Sequence, residues 1–185
     1  MAFYGNSDLI HILFKYGARI NTQDPDHETL LHLAALHRGP EATRARLKLG
    51  AGMTYRNNQR EMRAHLAATG SVGCMEAFID ASFDLNTQWP YRRTVLPIVV
   101  HNTNIEMVEY LLGNKEVKTA INARDCVGYT PLHLAVLNST IIELLMHHGA
   151  NMKVQDEYGR TPAHCAVCSG IERLDPKSLR TLIDA

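Results

Sequence analysis

Asp125-Cys126-Val127-Gly128-Tyr129-Thr130-Pro131-Leu132-His133-Leu134-Ala135-Val136 reads as a tight turn running into a short helix. Gly128 can take the left-handed backbone of the turn at no steric cost. Thr130 is a good N-cap, and Pro131 suits the first helical position, where a missing N–H costs nothing. Leu132, Leu134, Ala135 and Val136 supply the packing surface. Downstream, Ile141, Ile142, Leu144, Leu145 and Met146 make a second apolar helix, and Gly149 supplies the αL residue that ends it. The unit is turn, helix, helix, loop.

The same text returns along the chain. Thr29-Leu30-Leu31-His32-Leu33-Ala34-Ala35 differs from the first by Leu for Pro and Ala for Val, and Thr161-Pro162-Ala163-His164-Cys165-Ala166 keeps Thr, Pro, His and Ala. Met62-Arg63-Ala64-His65-Leu66-Ala67-Ala68 keeps His and Ala but not the Thr cap. This pattern resembles the ankyrin repeat, whose Thr-Pro-Leu-His-x-Ala core recurs with a period of about 33 residues. The resemblance implies an all-α fold: an ankyrin-repeat solenoid of stacked helix-turn-helix units with β-turn fingers along one edge. A concave groove would be lined by the first helices, and each unit would bury its apolar faces only against its neighbours. On this reading residues 1–185 are one domain of about six repeats, at about 1–23, 24–56, 57–88, 89–124, 125–155 and 156–185, the first and last incomplete.

Composition narrows the function. Nineteen basic and nineteen acidic side chains give a formal charge of +0. A strong nucleic-acid or membrane-surface binder would show a basic excess. No apolar run approaches the roughly 18 residues needed to cross a bilayer, and the N-terminus lacks a signal-peptide pattern. Cys74, Cys126, Cys165 and Cys168 therefore read as free thiols of a reducing compartment, and the location expected is cytoplasmic or nuclear.

The repeats diverge in informative places. In the first, Leu9, Ile12, Leu13 and Phe14 make a second helix closed by Gly17, with an open apolar face beside it. Leu179, Leu182 and Ile183 do the same at the other end, so self-association through these faces is expected. In the second repeat Arg44, Arg46 and Lys48 predict a basic outer face. Ser82 replaces the terminating Gly of the third. In the fourth, Trp89 stands where the repeat usually has Asp, and Pro97 where it has His. These losses make repeats three and four the expected soft part of the array. Gly113 to Ala120 runs long and predicts a protruding loop.

Ten histidines invite a metal or catalytic idea. His32, His65, His133 and His164 all fall at the fixed His of the repeat, where the ring ties neighbouring repeats together by a hydrogen bond. His147 and His148 suit the dipole at a helix end. Cys165 and Cys168 beside His164 resemble part of a zinc site, but a structural zinc needs four ligands; core packing accounts for Cys165, and Cys168 reads as an exposed thiol. No phosphate loop, nucleophile elbow or cleft-like carboxylate pair is present. No catalytic residue, metal or cofactor is expected.

The function expected is a scaffold that holds a protein partner. The resemblance places variable contacts at the turn tips and the exposed ends of the first helices. Here these are Trp89, Pro90, Tyr91 and Arg93 with His101 and Asn102, then Val127 and Tyr129 with Leu137 and Asn138, then Glu157, Tyr158 and Arg160. Tryptophan, tyrosine and arginine are the residues enriched at binding hot spots; the alternative for Trp89 is that it folds back onto its own turn. Two narrower readings stay open. Asp175 to Leu182 is similar to the opening of a SOCS box, which would make the chain a substrate receptor of a ubiquitin ligase, although Ile183 stands where Cys is preferred and the same residues read as an ordinary second helix. The other is an IκB-like inhibitor of a transcription factor.

Overall fold

The computed structural model describes residues 14–36, 39–58, 70–88, 90–115 and 120–168, with Ile12, Ala67 and Val117 besides. The chain divides into two compact units, Met1–Leu85 and Asn86–Ala185. The helices of the repeat units lie, among the described residues, where the repeat register puts them, and the fold is the all-α ankyrin solenoid.

In the first unit, α1 (Leu30–Leu36) and α2 (Pro40–Lys48) form the second repeat's antiparallel pair. Against α2 packs α3 (Val72–Asp80), the second helix of the third repeat. Thr29 starts α1 by the device expected of it. Its N–H donates to His32 Nδ1 at 3.1 Å, its hydroxyl lies 2.7 Å from the same nitrogen, and both residues are buried. Gly17 and Gly50 close their helices with positive φ, and Ser82 does the same at φ 63 without being glycine.

One expectation here is corrected. The outer face of α2 is not made basic by Arg46, which is only 2% exposed. Arg46 shares a face with Ala42 and Ala45, at i−4 and i−1, and those small side chains leave room for its stem. Its Nη1 donates to the Ala42 carbonyl at 2.9 Å, and burial lowers its pKa. Arg44 and Lys48 do face outward. Arg44 is fanned across Glu41, Glu76 and Asp80, at 2.9, 3.3 and 4.0 Å.

The second unit contains α4 (Val95–His101), α5 (Ile105–Gly113), α6 (Pro131–Leu134), α7 (Ser139–His147) and α8 (Pro162–Cys168). First helices stack in order, α4 on α6 on α8, while second helices stack α5 on α7. Met107, Val108, Leu111, Leu112, Leu132, Ile141, Ile142 and Leu145 are fully buried between them. Pro97 sits buried inside the first turn of α4, where the missing N–H has no partner to lose. Asn104 and Asn138 cap α5 and α7 by accepting from Met107 N–H and Ile141 N–H, each at 3.1 Å. Of the insertion at 113–120, expected to protrude, the described Lys115 is helical and exposed, and Val117 is helical and buried, as is Ile121 just after it.

The open end faces are described only in part. Ile12 and Phe14 are exposed, as the reading of the first repeat requires. Leu9, Leu13, His65, Leu179, Leu182, Ile183 and the SOCS-box-like stretch lie outside the described residues.

Candidate functional site

The second, fifth and sixth fingers are each built on an aspartate. Asp125 Oδ1 accepts from Val127 N–H at 3.0 Å and Tyr129 N–H at 2.9 Å, while its own N–H donates to the Tyr129 carbonyl at 2.9 Å. Asp156 repeats this with Tyr158 and Arg160, both at 2.8 Å, and Asp24 with Asp26 and Glu28, at 2.9 and 2.8 Å. Burial pushes the Asp156 carboxyl up, but the Arg160 and Tyr158 N–H groups and the Arg160 guanidinium outweigh it and hold the pKa below its ordinary value. Within the second unit the fingers are laced together: Cys126 N–H donates to the Tyr91 carbonyl at 2.8 Å, and Glu157 N–H to the Val127 carbonyl at 3.1 Å.

The last position of the tip needs a left-handed residue. Gly128 and Gly159 fill it at φ 84 and φ 74. A side chain at Gly128 would also meet the Glu157 nitrogen at 2.9 Å and the Asp156 Cα at 3.0 Å, so the lacing itself requires glycine there. The fourth finger has neither the aspartate nor the glycine. Arg92 takes the left-handed conformation at φ 60, preceded by Tyr91 at φ 69, ψ 18 in the short turn Pro90–Arg92. A bulky residue at positive φ is an outlier, and this turn has two in succession.

The structure sorts the expected contact residues into two kinds. Some are committed to the framework. Arg93 Nε donates to Asp125 Oδ2 at 3.1 Å. Arg160 Nε donates to Asp156 Oδ2 at 2.8 Å and its Nη2 to the Tyr129 hydroxyl at 2.7 Å. Tyr129 stacks on His133, centroids 5.5 Å apart and planes 2° from parallel. Val127 is half-buried with both backbone groups engaged, and Asn138 caps α7. Others stand free in solvent: Tyr91 at 70%, Tyr158 at 74%, Leu137 at 52%, and the exposed His101, Asn102 and Glu157. Tyr158 is nonetheless aimed, because the Arg160 guanidinium lies 4.9 Å over its ring. Pro90 belongs to the fourth tip, and Trp89 lies outside the described residues.

Three exposed neighbours escaped the sequence reading: Arg92, Arg124 and Val167. The signal for Arg92 was present, since a bulky residue at the register of Gly128 and Gly159 is a departure that asks for a reason. Val167 is the next-to-last residue of α8 and is 49% exposed.

Of the fixed histidines, His133 makes the expected tie to the next repeat, while His32 and His164 hold the Thr that starts their own helix and His65 lies outside the described residues. His133 Nδ1 accepts from Thr130 N–H at 3.1 Å, which leaves the proton on Nε2 to donate to the Arg160 carbonyl in the next repeat at 3.1 Å. His164 makes the same local contact with the Thr161 hydroxyl at 2.7 Å, in an exposed position. Cys165 is buried against Ala166, and burial raises its thiol pKa, while Cys168 is exposed. Among the described residues no cluster of three His, Cys, Asp or Glu could hold a metal ion, and no helix is long and apolar enough to cross a membrane. A groove of about 200 Å³ between α2 and α3 is lined by Arg44, Leu47, Lys48, Ala77, Asp80 and Ala81, most of its charge already paired.

Stacked helix pairs with laced β-turn fingers define a repeat protein that works by display, and the chain belongs to the ankyrin repeat family. The model of ankyrin repeats in three copies matches residues 64–156 and 96–184. Ankyrin repeats mediate protein–protein interaction, and this chain is such an interaction module; members of the family are typically non-enzymatic. Among relatives, an ankyrin repeat protein of Escherichia coli K12, YahD, is 25% identical over 92% of this chain and 88% of its own length. The mouse B-cell lymphoma 3 protein homolog is 30% identical over 92% of this chain, which spans only 39% of that protein. The crystal structure of the ankyrin repeat domain of Bcl-3, described as a unique member of the IκB family, superposes with a TM-score of 0.84 at 27% identity, covering 99% of this chain and 82% of that one. A chain of the Bdellovibrio bacteriovorus complex between endopeptidase Bd0816 and immunity protein Bd3460 gives 0.82 at 21% identity, over 99% and 94%, and speaks to the fold alone.

Proposed function

We propose that the chain holds a protein partner on the fingertips of repeats four to six and the first-helix ends beside them, without acting on it chemically, in the cytoplasm or nucleus. The six-repeat division of residues 1–185 is part of the same reading. The observation that carries it is the fourth finger. Tyr91 and Arg92 sit in left-handed backbone, which costs L-residues roughly 1–2 kcal/mol each, and both point into solvent. A fold served by glycine at this register has no use for an exposed tyrosine and arginine. Strain retained at an exposed aromatic is the mark of a contact surface.

The test starts from a partner purified on the wild-type chain. Trp89→Ala, Tyr91→Ala and Tyr158→Ala should each weaken its binding by about 2 kcal/mol while leaving the melting temperature nearly unchanged. Binding that survives all three and is lost on altering Glu106 and Glu109 of α5 would move the site to the outer helices. The 30% identity to the mouse B-cell lymphoma 3 homolog over 92% of this chain favours a second, narrower reading, an IκB-like inhibitor whose partner is a transcription factor. Titration against an NF-κB dimer decides it, and absence of binding at micromolar concentration removes it.

A further inference from the structure

We propose that the fingertips of repeats four to six take an acidic segment of a protein partner, its carboxylates meeting Arg92 and Arg124 and its apolar side chains covering Tyr91 and Tyr158. This rests on the finger reading above and adds the chemistry of the partner. Positive charge is left over at the tips after the fold has used what it needs. Asp125 and Asp156 are buried, and each is satisfied within the fingers by two N–H groups and a guanidinium. Arg93 and Arg160 are the guanidinia so consumed. Arg92 and Arg124 are exposed and enter no ion pair among the described residues. Arg124 Nε reaches the Gly128 carbonyl at 3.4 Å, and its guanidinium lies beside Gly128, where the fifth finger meets the sixth.

The second helices of the same unit carry the other sign. Glu106 and Glu109 on α5 and Glu143 on α7 are exposed. An acidic segment is therefore repelled from the outer helices and drawn to the tips, which carry the aromatic area as well. The lacing of Cys126 to Tyr91 and of Glu157 to Val127 keeps the three tips in one row, so Tyr91, Arg92 and Tyr158 are presented together rather than as separate contacts. Glu157 breaks the symmetry. It is the exposed acid among these tips, so the densest charge of the bound segment belongs over the fourth and fifth fingers.

The experiment is fluorescence anisotropy of the whole chain with a labelled random copolymer of glutamate and tyrosine as probe. The comparators are a lysine–tyrosine copolymer and an oligonucleotide of equal charge. The glutamate copolymer should bind best. Arg92→Glu should weaken it about tenfold, Arg124→Glu in the same direction, and Glu157→Gln should tighten it. Lys115→Glu, the same charge change beyond α5, should leave it unmoved. Arg92 makes no bond the fold needs, so its variant keeps the test valid if Arg124→Glu unfolds. Oligonucleotide binding of equal strength, or an unchanged affinity in Arg92→Glu, overturns the acidic-partner inference. The same variants tested on the purified partner separate the two levels. Loss in Tyr91→Ala and Tyr158→Ala with no loss in Arg92→Glu overturns the acidic segment and keeps the finger site, and no loss in any of them overturns both.

Discussion

Replacing His133 by alanine should destabilise the second unit by about 3 kcal/mol, and replacing His164 by alanine by only about 1 kcal/mol. The two rings perform the same local task, accepting at Nδ1 from the Thr that starts their helix. They differ in what the other nitrogen does and in burial. His133 is buried and its Nε2 donates to the Arg160 carbonyl of the next repeat. Its loss leaves the buried Thr130 N–H without its acceptor and removes one of the two bonds to the Arg160 carbonyl, which keeps the Asp156 N–H at 2.9 Å, about 1 kcal/mol apiece. The apolar area of the ring stacked on Tyr129 adds about 1 kcal/mol more. At the exposed His164, water replaces what is lost. Urea unfolding gives the totals, and hydrogen exchange at Leu132 to Val136 localises them, since repeat proteins lose stability where they are damaged. Equal costs at the two positions, within about 0.5 kcal/mol, would refute the inter-repeat role. The pH dependence has a definite sign. Burial lowers the His133 pKa, against the opposing pull of the Arg160 carbonyl, Asp156 and Asp125. The unfolded chain then takes up the proton first, so this contribution is complete above the ordinary histidine pKa of about 6.5 and is lost as pH falls from there through the folded-state value. The gap between wild type and His133→Ala should narrow on acidification; a gap that widens contradicts the assigned protonation.

The remaining expectations concern backbone and thiols. Gly128→Ala should cost about 3 kcal/mol, because φ 84 is joined by contacts of 2.9 and 3.0 Å to the sixth finger's backbone, while Gly149→Ala at φ 91, with nothing within 4 Å, should cost about 1 kcal/mol. Equal melting shifts would remove the tight finger contact from the account. Arg92→Gly should raise stability by up to about 1 kcal/mol by relieving its left-handed backbone; a fall in melting temperature would show that the arginine supports the fold. In the native chain, a thiol reagent should label the exposed Cys126 and Cys168 and spare Cys74 and Cys165, which are buried with raised pKa values. Uniform labelling of all four would contradict the burial pattern.

What could be read from the sequence is what is local in the sequence. The Thr cap meets its His three residues on, and the finger Asp meets N–H groups two and four residues on, so each device leaves its signature in one short window. Contacts across repeats leave none. Tyr129 looks like a display residue until Arg160 arrives from 31 positions away and occupies its hydroxyl. Arg46 reads as an outward charge by type, and only the smallness of Ala42 and Ala45 on the same face lets it turn inward. Val117 lies in an insertion whose length says loop, yet its side chain is buried.

Positive φ at the fingertip does not by itself mark a contact residue, and the second finger shows why. His27 occupies the same register as Arg92 and is also left-handed, at φ 59. There the turn is held by Asp24, whose carboxylate gathers the N–H groups of Asp26 and Glu28, and the framework accounts for one strained residue. The fourth finger has Trp89 in place of that aspartate, so no carboxylate at that position can gather the turn, and the strain extends over two residues instead of one. A drift away from aspartate and glycine would favour small or polar replacements that tolerate αL. Tryptophan, tyrosine and arginine are the opposite choice: large, costly in this backbone, and suited to burying area against another surface. On the proposed finger reading, the fourth finger is thus the place where the chain gives up local stability for side chains that serve a partner.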